Sequence, residues 1–105
     1  MTYSISVKDL VQQIAANPEI ELIDVRRKAD YEQSPQKITG ARWVDPEAVA
    51  EWSGTVAKNQ DVVVYCVKGG SVSQSVTETL SGQGCRVKYL EGGIKAWRED
   101  GGKVA

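Results

Sequence analysis

The sequence predicts an α/β fold around a mostly parallel β-sheet, in one domain over residues 1–105. Short apolar runs alternate with segments of helical periodicity, and this order is typical of a parallel sheet flanked by helices. The run Asp61–Cys66 is continuous and rich in β-branched residues. A run without polar alternation indicates a central strand that is covered on both faces. No internal repeat, linker or low-complexity segment divides the chain.

The first half of the chain begins with a helix signal. Ser6 and Asp9 form a capping-box pattern in front of apolar residues at helical spacing, which predicts a helix over Val7–Ala16 that ends at Asn17-Pro18. The next predicted elements are a strand over Glu21–Val25, a helical turn over Lys28–Gln33, a strand over Ile38–Val44 and a helix from Asp45-Pro46 to about Trp52.

The second half starts with the Asp61–Cys66 strand and a glycine-containing loop. Apolar residues on one helical face predict a helix from about Ser71 to Leu80. The remaining predicted elements are a stop at Gly82-Gln83-Gly84, an edge-like strand over Cys85–Leu90, a turn at Glu91-Gly92-Gly93 and a helix over Ile94–Glu99.

Composition and charge exclude several classes of partner. Thirteen basic and fourteen acidic residues give a net charge of -1 without a basic block, so neither nucleic acid nor a membrane surface is expected as the main partner. The chain has no apolar run long enough to span a bilayer, and its first residues lack the pattern of a secretory signal. We therefore expect a cytoplasmic location, where two cysteines remain thiols.

The absence of histidine from the sequence restricts the chemistry. Ser-His and Cys-His activation of a nucleophile are both impossible in this chain. Two lone cysteines do not make a structural zinc site. We expect no metal and no cofactor, so a nucleophile here would be activated by backbone electrostatics.

Cys66 is the candidate nucleophile, because it ends the most central strand, where ligands bind in open α/β sheets. The next residues lead directly to a helix N-terminus, and Gly69 and Gly70 permit backbone angles that other residues resist. Loop and helix amides together would favour a thiolate, and would also hold a persulfide or the oxyanion end of thiosulfate. Taken alone, the same spacing fits a small buried core cysteine equally well.

Four motifs in order and at matching spacing resemble the rhodanese family over nearly the whole chain. They are Leu22-Ile23-Asp24-Val25-Arg26, the segment Ile38–Val44 with its Gly40-Ala41 pair, Val63-Val64-Tyr65-Cys66 with the glycine loop, and Val87–Trp97 with Leu90, Gly92-Gly93 and Ala96-Trp97. Each motif is weak alone, whereas the four together are specific.

The resemblance implies a rhodanese-like three-layer α/β fold, with a central, mostly parallel five-stranded sheet and helices on both faces. It implies a sulfurtransferase in which Cys66 takes a sulfane sulfur as a persulfide and passes it to an acceptor. The implied substrate-binding residues are Val67, Lys68, Gly69, Gly70 and Ser71, with Val72 as a further candidate. The implied partners are a small donor such as thiosulfate and a cyanide or thiol acceptor, including a thioredoxin-like or other sulfur-acceptor protein.

Departures from the family pattern leave the donor open. Many members carry arginine at the positions of Val67 and Ser71, so Lys68 is the one side-chain cation inside this loop. A sulfur-relay or protein-binding module with little turnover on small donors is therefore the alternative. Phosphatase chemistry is a third possibility. The sites of related phosphatases begin with His-Cys, have a longer loop and close with an arginine that binds the oxyanion. Tyr65, the short loop and Ser71 contradict these three features in turn.

Asp24 and Arg26 could order the active-site mouth, although we favour a capping carboxylate and a surface salt bridge. Cys85 could resolve the persulfide, but a structural role is favoured because the sheet separates it from Cys66. Lys37 stands where many members place histidine, and it is interpreted as a solvated cation.

The aromatic and glycine signatures receive structural interpretations. Gly92, Gly93 and Trp97 are expected to shape a tight turn and fill the core. Trp43 and Trp52 fit either a binding mouth or core packing.

Overall fold

A five-stranded sheet with helices around it makes up the computed structural model, which describes residues 4–56 and 58–105. The strands are β1 (Ser4–Ile5), β2 (Glu21–Asp24), β3 (Arg42–Trp43), β4 (Asp61–Tyr65) and β5 (Arg86–Leu90). The α-helices are α1 (Val7–Ala16), α2 (Lys28–Gln33), α3 (Val49–Trp52), α4 (Ser71–Gly82) and α5 (Gly93–Glu99). Short 3₁₀ turns flank α3 at Pro46–Ala48 and Ser53–Thr55.

The sheet has the strand order β1-β5-β4-β2-β3, and its neighbouring strands pair in parallel. The apolar run that predicted a central strand is indeed β4, which lies between β5 and β2. The prediction that the strand beginning near Cys85 is edge-like was wrong, because β1 pairs along the outer side of β5. A parallel sheet needs cover on both faces, and the buried side chains show where that cover comes from.

Side chains along β4 alternate between two hydrophobic clusters. Val63 and Tyr65 belong to one cluster, which α1 and α5 complete, whereas Val62 and Val64 belong to the other, which α3 and α4 cover. Because successive strand residues point to opposite faces, the two clusters lie on opposite sides of the sheet. The three-layer arrangement that the resemblance implied is therefore confirmed.

The predicted helix caps are present. The Ser6 side chain accepts a hydrogen bond from the Asp9 amide at 3.1 Å and starts α1. The Asp45 side chain accepts from the Glu47 amide at 2.9 Å, and Pro46 occupies the first position of the helical turn that follows.

The strand predicted over Ile38–Val44 is largely wrong, because only Arg42 and Trp43 form β3. Ile38 is buried, but it forms an isolated antiparallel bridge with Val104 near the end of the chain. Ile38 is therefore apolar because it packs in the core, although it is not part of the parallel sheet. The strand β1 was not predicted from the residues, since a two-residue strand carries no measurable periodicity.

In residues 4–56 and 58–105, no helix combines the length and apolar character that crossing a membrane requires.

Candidate active site

Cys66 directly follows β4 and begins the loop to α4. Strand alternation places its side chain on the face that α4 covers. The residue is only 6% exposed, yet it lines an open cavity of about 260 Å³. The predicted residues that line the cavity with it are Val67, Lys68, Gly70, Ser71 and Val72. Cys66 therefore borders the cavity and belongs to neither core cluster.

The thiol of Cys66 donates a hydrogen bond to the hydroxyl of Ser73 at 3.2 Å. Ser73 is fully buried, and its hydroxyl donates in turn to the Gly70 carbonyl at 3.3 Å. Ser73 was not among the residues predicted from the sequence. Its signal is a hydroxyl in the first turn of the helix after the loop, where a side chain reaches back toward the loop.

Two loop carbonyls bind the N-terminus of α5. The Cys66 carbonyl accepts from the Ile94 amide at 3.0 Å, and the Val67 carbonyl accepts from the Lys95 amide at 3.1 Å. These loop peptide bonds are trans, and a trans peptide holds its N–H opposite its carbonyl. The amides of Val67 and Lys68 therefore point away from α5.

The amides of residues 67 to 73 donate to no protein acceptor within residues 4–56 and 58–105. Those of the first helical turn have no acceptor in their own helix, as at any helix start. Gln74 secures the other side of the loop, because its backbone and side-chain N–H groups donate to Gly70 and Gly69 carbonyls at 3.2 and 3.1 Å. A row of unused donors next to a sulfur atom is suited to an anion.

Two glycines let the loop and the α5 turn approach closely. Gly69 has φ +72°, and a Cβ there would lie 2.8 Å from the Gly92 nitrogen. Gly93 has φ +60°, and a Cβ there would overlap the Cys66 carbonyl oxygen. Gly70, by contrast, has φ -86° and open space around it. The expectation of an unusual backbone therefore holds for Gly69 and is wrong for Gly70.

Charged side chains surround the cavity mouth. Lys68 is exposed and lines the cavity as predicted, and Arg27 and Asp30 line it as well. Neither cation forms a salt bridge with a carboxylate of the described residues. Arg27 was not singled out from the sequence, because it comes from the β2–α2 connection and only the fold brings it to the loop.

Asp24 and Arg26 form a buried pair, so the predicted surface salt bridge was wrong. They are 0% and 2% exposed, and Arg26 Nη2 lies 2.7 Å from Asp24 Oδ2. Arg26 also donates to the carbonyls of Ser34 and Gln36 at 2.8 and 2.9 Å. The pair thus fixes the segment after α2, and Arg26 lines the Cys66 cavity.

Tyr65 lies beside this pair and is fully buried. Its hydroxyl accepts from the Ile38 amide at 3.1 Å, which anchors the segment that was predicted as a strand. Burial, reinforced by the negative charge of Asp24, raises the pKa of Tyr65 well above its ordinary value of 10.0.

The remaining candidates have structural contacts. Cys85 is a free thiol buried in the cluster beneath α4, in agreement with a structural role. Trp43 stacks on Tyr31 with ring centroids 4.7 Å apart, and Trp52 Nε1 donates to the Asp45 carbonyl at 2.8 Å. Trp43 and Trp52 are both absent from the lining of the Cys66 cavity among the described residues.

Lys37 and Trp97 also contact neighbouring groups of the fold. Lys37 is half-buried with its ammonium 5.5 Å from the centroid of the Tyr31 ring, so it is less solvated than expected. Trp97 is buried and donates to the Lys103 carbonyl at 3.0 Å, which confirms its place in the core.

Comparisons with known proteins agree on one family. The family model described as a rhodanese-like domain matches residues 6–100. A sulfurtransferase of Allochromatium vinosum is 29% identical over 103 residues, covering 96% of this chain and 92% of that protein. Thiosulfate sulfurtransferase GlpE of Coxiella burnetii is 33% identical, covering 82% and 78%. A rhodanese-related protein from Thermoplasma volcanium superposes with a TM-score of 0.83 at 26% identity, covering 97% and 96% of the two chains.

Proposed function

The chain belongs to the rhodanese-like domain family, and from this premise we propose that it is a sulfurtransferase which carries sulfane sulfur on Cys66 as a persulfide. The observation that carries the proposal is the position of Cys66 at a cavity wall, next to loop amides that have no acceptor among the described residues. The names of the two curated relatives support sulfur transfer as the general reaction.

The first step is a displacement at sulfur. The Cys66 thiolate attacks the outer sulfur of a donor such as thiosulfate, whose sulfur–sulfur bond breaks as the new one forms. The bonding pair leaves with sulfite, and the negative charge of the product is on the outer sulfur of Cys66–S–S⁻. The amides that point away from α5 would hold this charge without a metal or a general base.

The second step returns the enzyme to its starting state. A nucleophilic acceptor attacks the outer sulfur, and the electron pair of the breaking bond returns to the Cys66 sulfur. With cyanide the product is thiocyanate, and with a thiolate it is a persulfide on the acceptor. No net oxidation occurs across the two steps, so no further redox partner is needed.

Lys68 and Arg27 would attract the anionic donor to the mouth. Both are exposed cations that line the cavity, so they can offset part of the two negative charges of thiosulfate. Arg27 supplies, from outside the loop, a charge that the sequence of the loop lacks.

The experiment that tests this proposal is intact mass spectrometry after exposure to thiosulfate. The wild-type protein should gain one sulfur atom, which cyanide removes as thiocyanate. Cys66→Ala should gain none and lose turnover, while Cys85→Ala, the matched control, should behave as wild type. Loading or turnover that persists in Cys66→Ala would overturn the proposal.

A sulfur-relay module is the second candidate, with a thioredoxin-like or other acceptor protein as its partner. A cavity of about 400 Å³ adjoins the Cys66 cavity, sharing Arg27, Ser71 and Val72 and extending along α4 to Thr79. The two adjoining cavities would offer a binding surface to the loop of a protein that presents a thiol. A relay module would show a loaded Cys66 by mass but slow turnover with thiosulfate and cyanide.

A further inference from the structure

The hydroxyl of Ser73 is the one side-chain group in hydrogen-bond contact with the Cys66 sulfur among the described residues. We propose that Ser73 is a catalytic hydrogen-bond partner of Cys66, accepting a hydrogen bond from the thiol and donating one to the thiolate. This inference rests on the proposed function, in which Cys66 is the nucleophile. The Ser73 hydroxyl would thus add a side-chain hydrogen-bond donor to the backbone amides of the loop.

The heavy atoms are already placed for both roles. Ser73 Oγ lies 3.2 Å from Cys66 Sγ and 3.3 Å from the Gly70 carbonyl oxygen. With a thiol, the sulfur donates to Ser73 and Ser73 donates to Gly70. Once the sulfur is ionised it can only accept, so a rotation of the Ser73 hydroxyl proton toward Sγ is sufficient. No side chain has to move.

The rotation leaves no buried group without a partner. The Gly70 carbonyl also accepts from the Gln74 amide at 3.2 Å, so it keeps a donor when the Ser73 proton turns away. The Ser73 turn of the helix is itself held, because Thr77 Oγ1 donates to the Ser73 carbonyl at 2.8 Å. Hydrogen bonds to a charged partner are roughly twice as strong as neutral ones, so the exchange favours the thiolate.

The same contact acts in both steps of the reaction. In the first step it raises the fraction of Cys66 present as thiolate. In the second step the negative charge returns to Sγ, so the Ser73 proton stabilises the leaving thiolate, and a better leaving group departs faster. Between the steps Sγ is a neutral bridging atom, and the Ser73 proton can return to Gly70.

The test measures the alkylation rate of Cys66 by iodoacetamide against pH, quantified on the Cys66 peptide so that Cys85 does not contribute. Ser73→Ala should move the midpoint of this profile upward by about one pH unit, because the charge-assisted bond is lost. Ser53→Ala removes another buried serine hydroxyl, from a residue that does not line the Cys66 cavity, and should leave the midpoint unchanged. Cyanide discharge of the loaded Ser73→Ala protein should slow by roughly threefold to tenfold.

If Ser73→Ala does not fold, Ser73→Thr and Ser73→Val repeat the test. These two side chains have the same shape and differ only in the hydroxyl. Threonine keeps the hydroxyl and should restore the wild-type midpoint, whereas valine should reproduce the upward shift. Equal midpoints for wild type and Ser73→Ala, or for the threonine and valine variants, would overturn the role of Ser73. Alkylation needs no sulfur donor, so this result is independent of the mass experiment that tests sulfur transfer.

Discussion

Side chains from two separate parts of the chain line the mouth of the Cys66 cavity. The motifs of the sequence predicted Cys66 and its loop, and the structure places five of the six predicted loop residues at one cavity. Arg27 and Ser73 could not be predicted in the same way, since their proximity to the sulfur depends on how β2, β4 and α4 meet. Composition shows that such residues exist, but only the packing shows where they lie.

Removing the loop cation should weaken donor binding. Lys68→Gln should raise the KM for thiosulfate roughly threefold to tenfold and change kcat less, because an exposed cation is worth up to about 1 kcal/mol or slightly more. Steady-state kinetics at low ionic strength measures the effect, which added salt should reduce. Lys8→Gln removes the same charge from the exposed side of α1 and should change nothing. A KM as low as that of wild type would contradict a role for Lys68 in donor binding.

Removing the buried cation should affect stability. Arg26→Gln leaves the Asp24 carboxylate buried and unpaired, and the expected loss in the free energy of unfolding is about 3–5 kcal/mol. Urea denaturation measures it. The control is Lys28→Gln, which breaks an exposed pair with Glu32 and should cost less than about 1 kcal/mol. Similar losses for the two variants would show that the Asp24–Arg26 pair contributes no more than a surface ion pair.

At the scale of elements, the helices and the central strands were predictable and the shortest strands were not. The α1 and β4 signals extend over many residues, and the observed bounds agree with them to within a residue. β1 and β3 contain two residues each, so their existence depends on the neighbours that pair with them. Ile38 shows the reverse error, because it is buried in the core cluster and bridges Val104 without belonging to a strand of the parallel sheet.

The contact between α5 and the loop gives a prediction for this scale. Gly93→Ala should destabilise the protein roughly 1–3 kcal/mol more than Gly101→Ala, because its methyl group would overlap the Cys66 carbonyl. Both glycines have positive φ, but a Cβ at Gly101 meets nothing within 4 Å, so the control isolates the overlap. The melting temperature and the fraction of Cys66 loaded with sulfur should both be lower in Gly93→Ala than in Gly101→Ala. Equal melting temperatures and equal Cys66 loading in the two variants would contradict the close contact between Gly93 and the Cys66 carbonyl.

For the molecule as a whole, the order of the strands could not be obtained from spacing along the chain. The α/β alternation predicted a parallel sheet, and the resemblance implied five strands. It is the tertiary structure that places β5 between β1 and β4 and thereby buries Cys85 beneath α4. The three layers follow from strand geometry, because the continuous apolar runs of β2 and β4 place apolar side chains on both faces of the sheet.

Global stability should fall in alkaline solution because of Tyr65. In the unfolded chain this phenol ionises near its ordinary pKa of 10.0, whereas burial keeps it protonated in the folded protein. Above that pH the folded state binds more protons, so the free energy of unfolding falls by about 1.4 kcal/mol per pH unit from this group. Tyr65→Phe should be less stable at neutral pH because it leaves the Ile38 amide without its hydrogen-bond acceptor. Its free energy of unfolding should, however, decrease less steeply with pH above 10.

Urea denaturation between pH 9 and 11 compares the two proteins, with unfolding monitored by circular dichroism. Parallel slopes for wild type and Tyr65→Phe would show that Tyr65 does not account for the alkaline loss.

The bonds from α5 to the carbonyls of Cys66 and Val67 have a consequence for biosynthesis. A ribosome delivers the Cys66 thiol well before it delivers Ile94 and Lys95, so a nascent chain that pauses between them exposes the sulfur without the groups that orient its loop. The orientation of the amides, and with it any chemistry of the thiol, is thereby deferred until α5 has emerged from the exit tunnel.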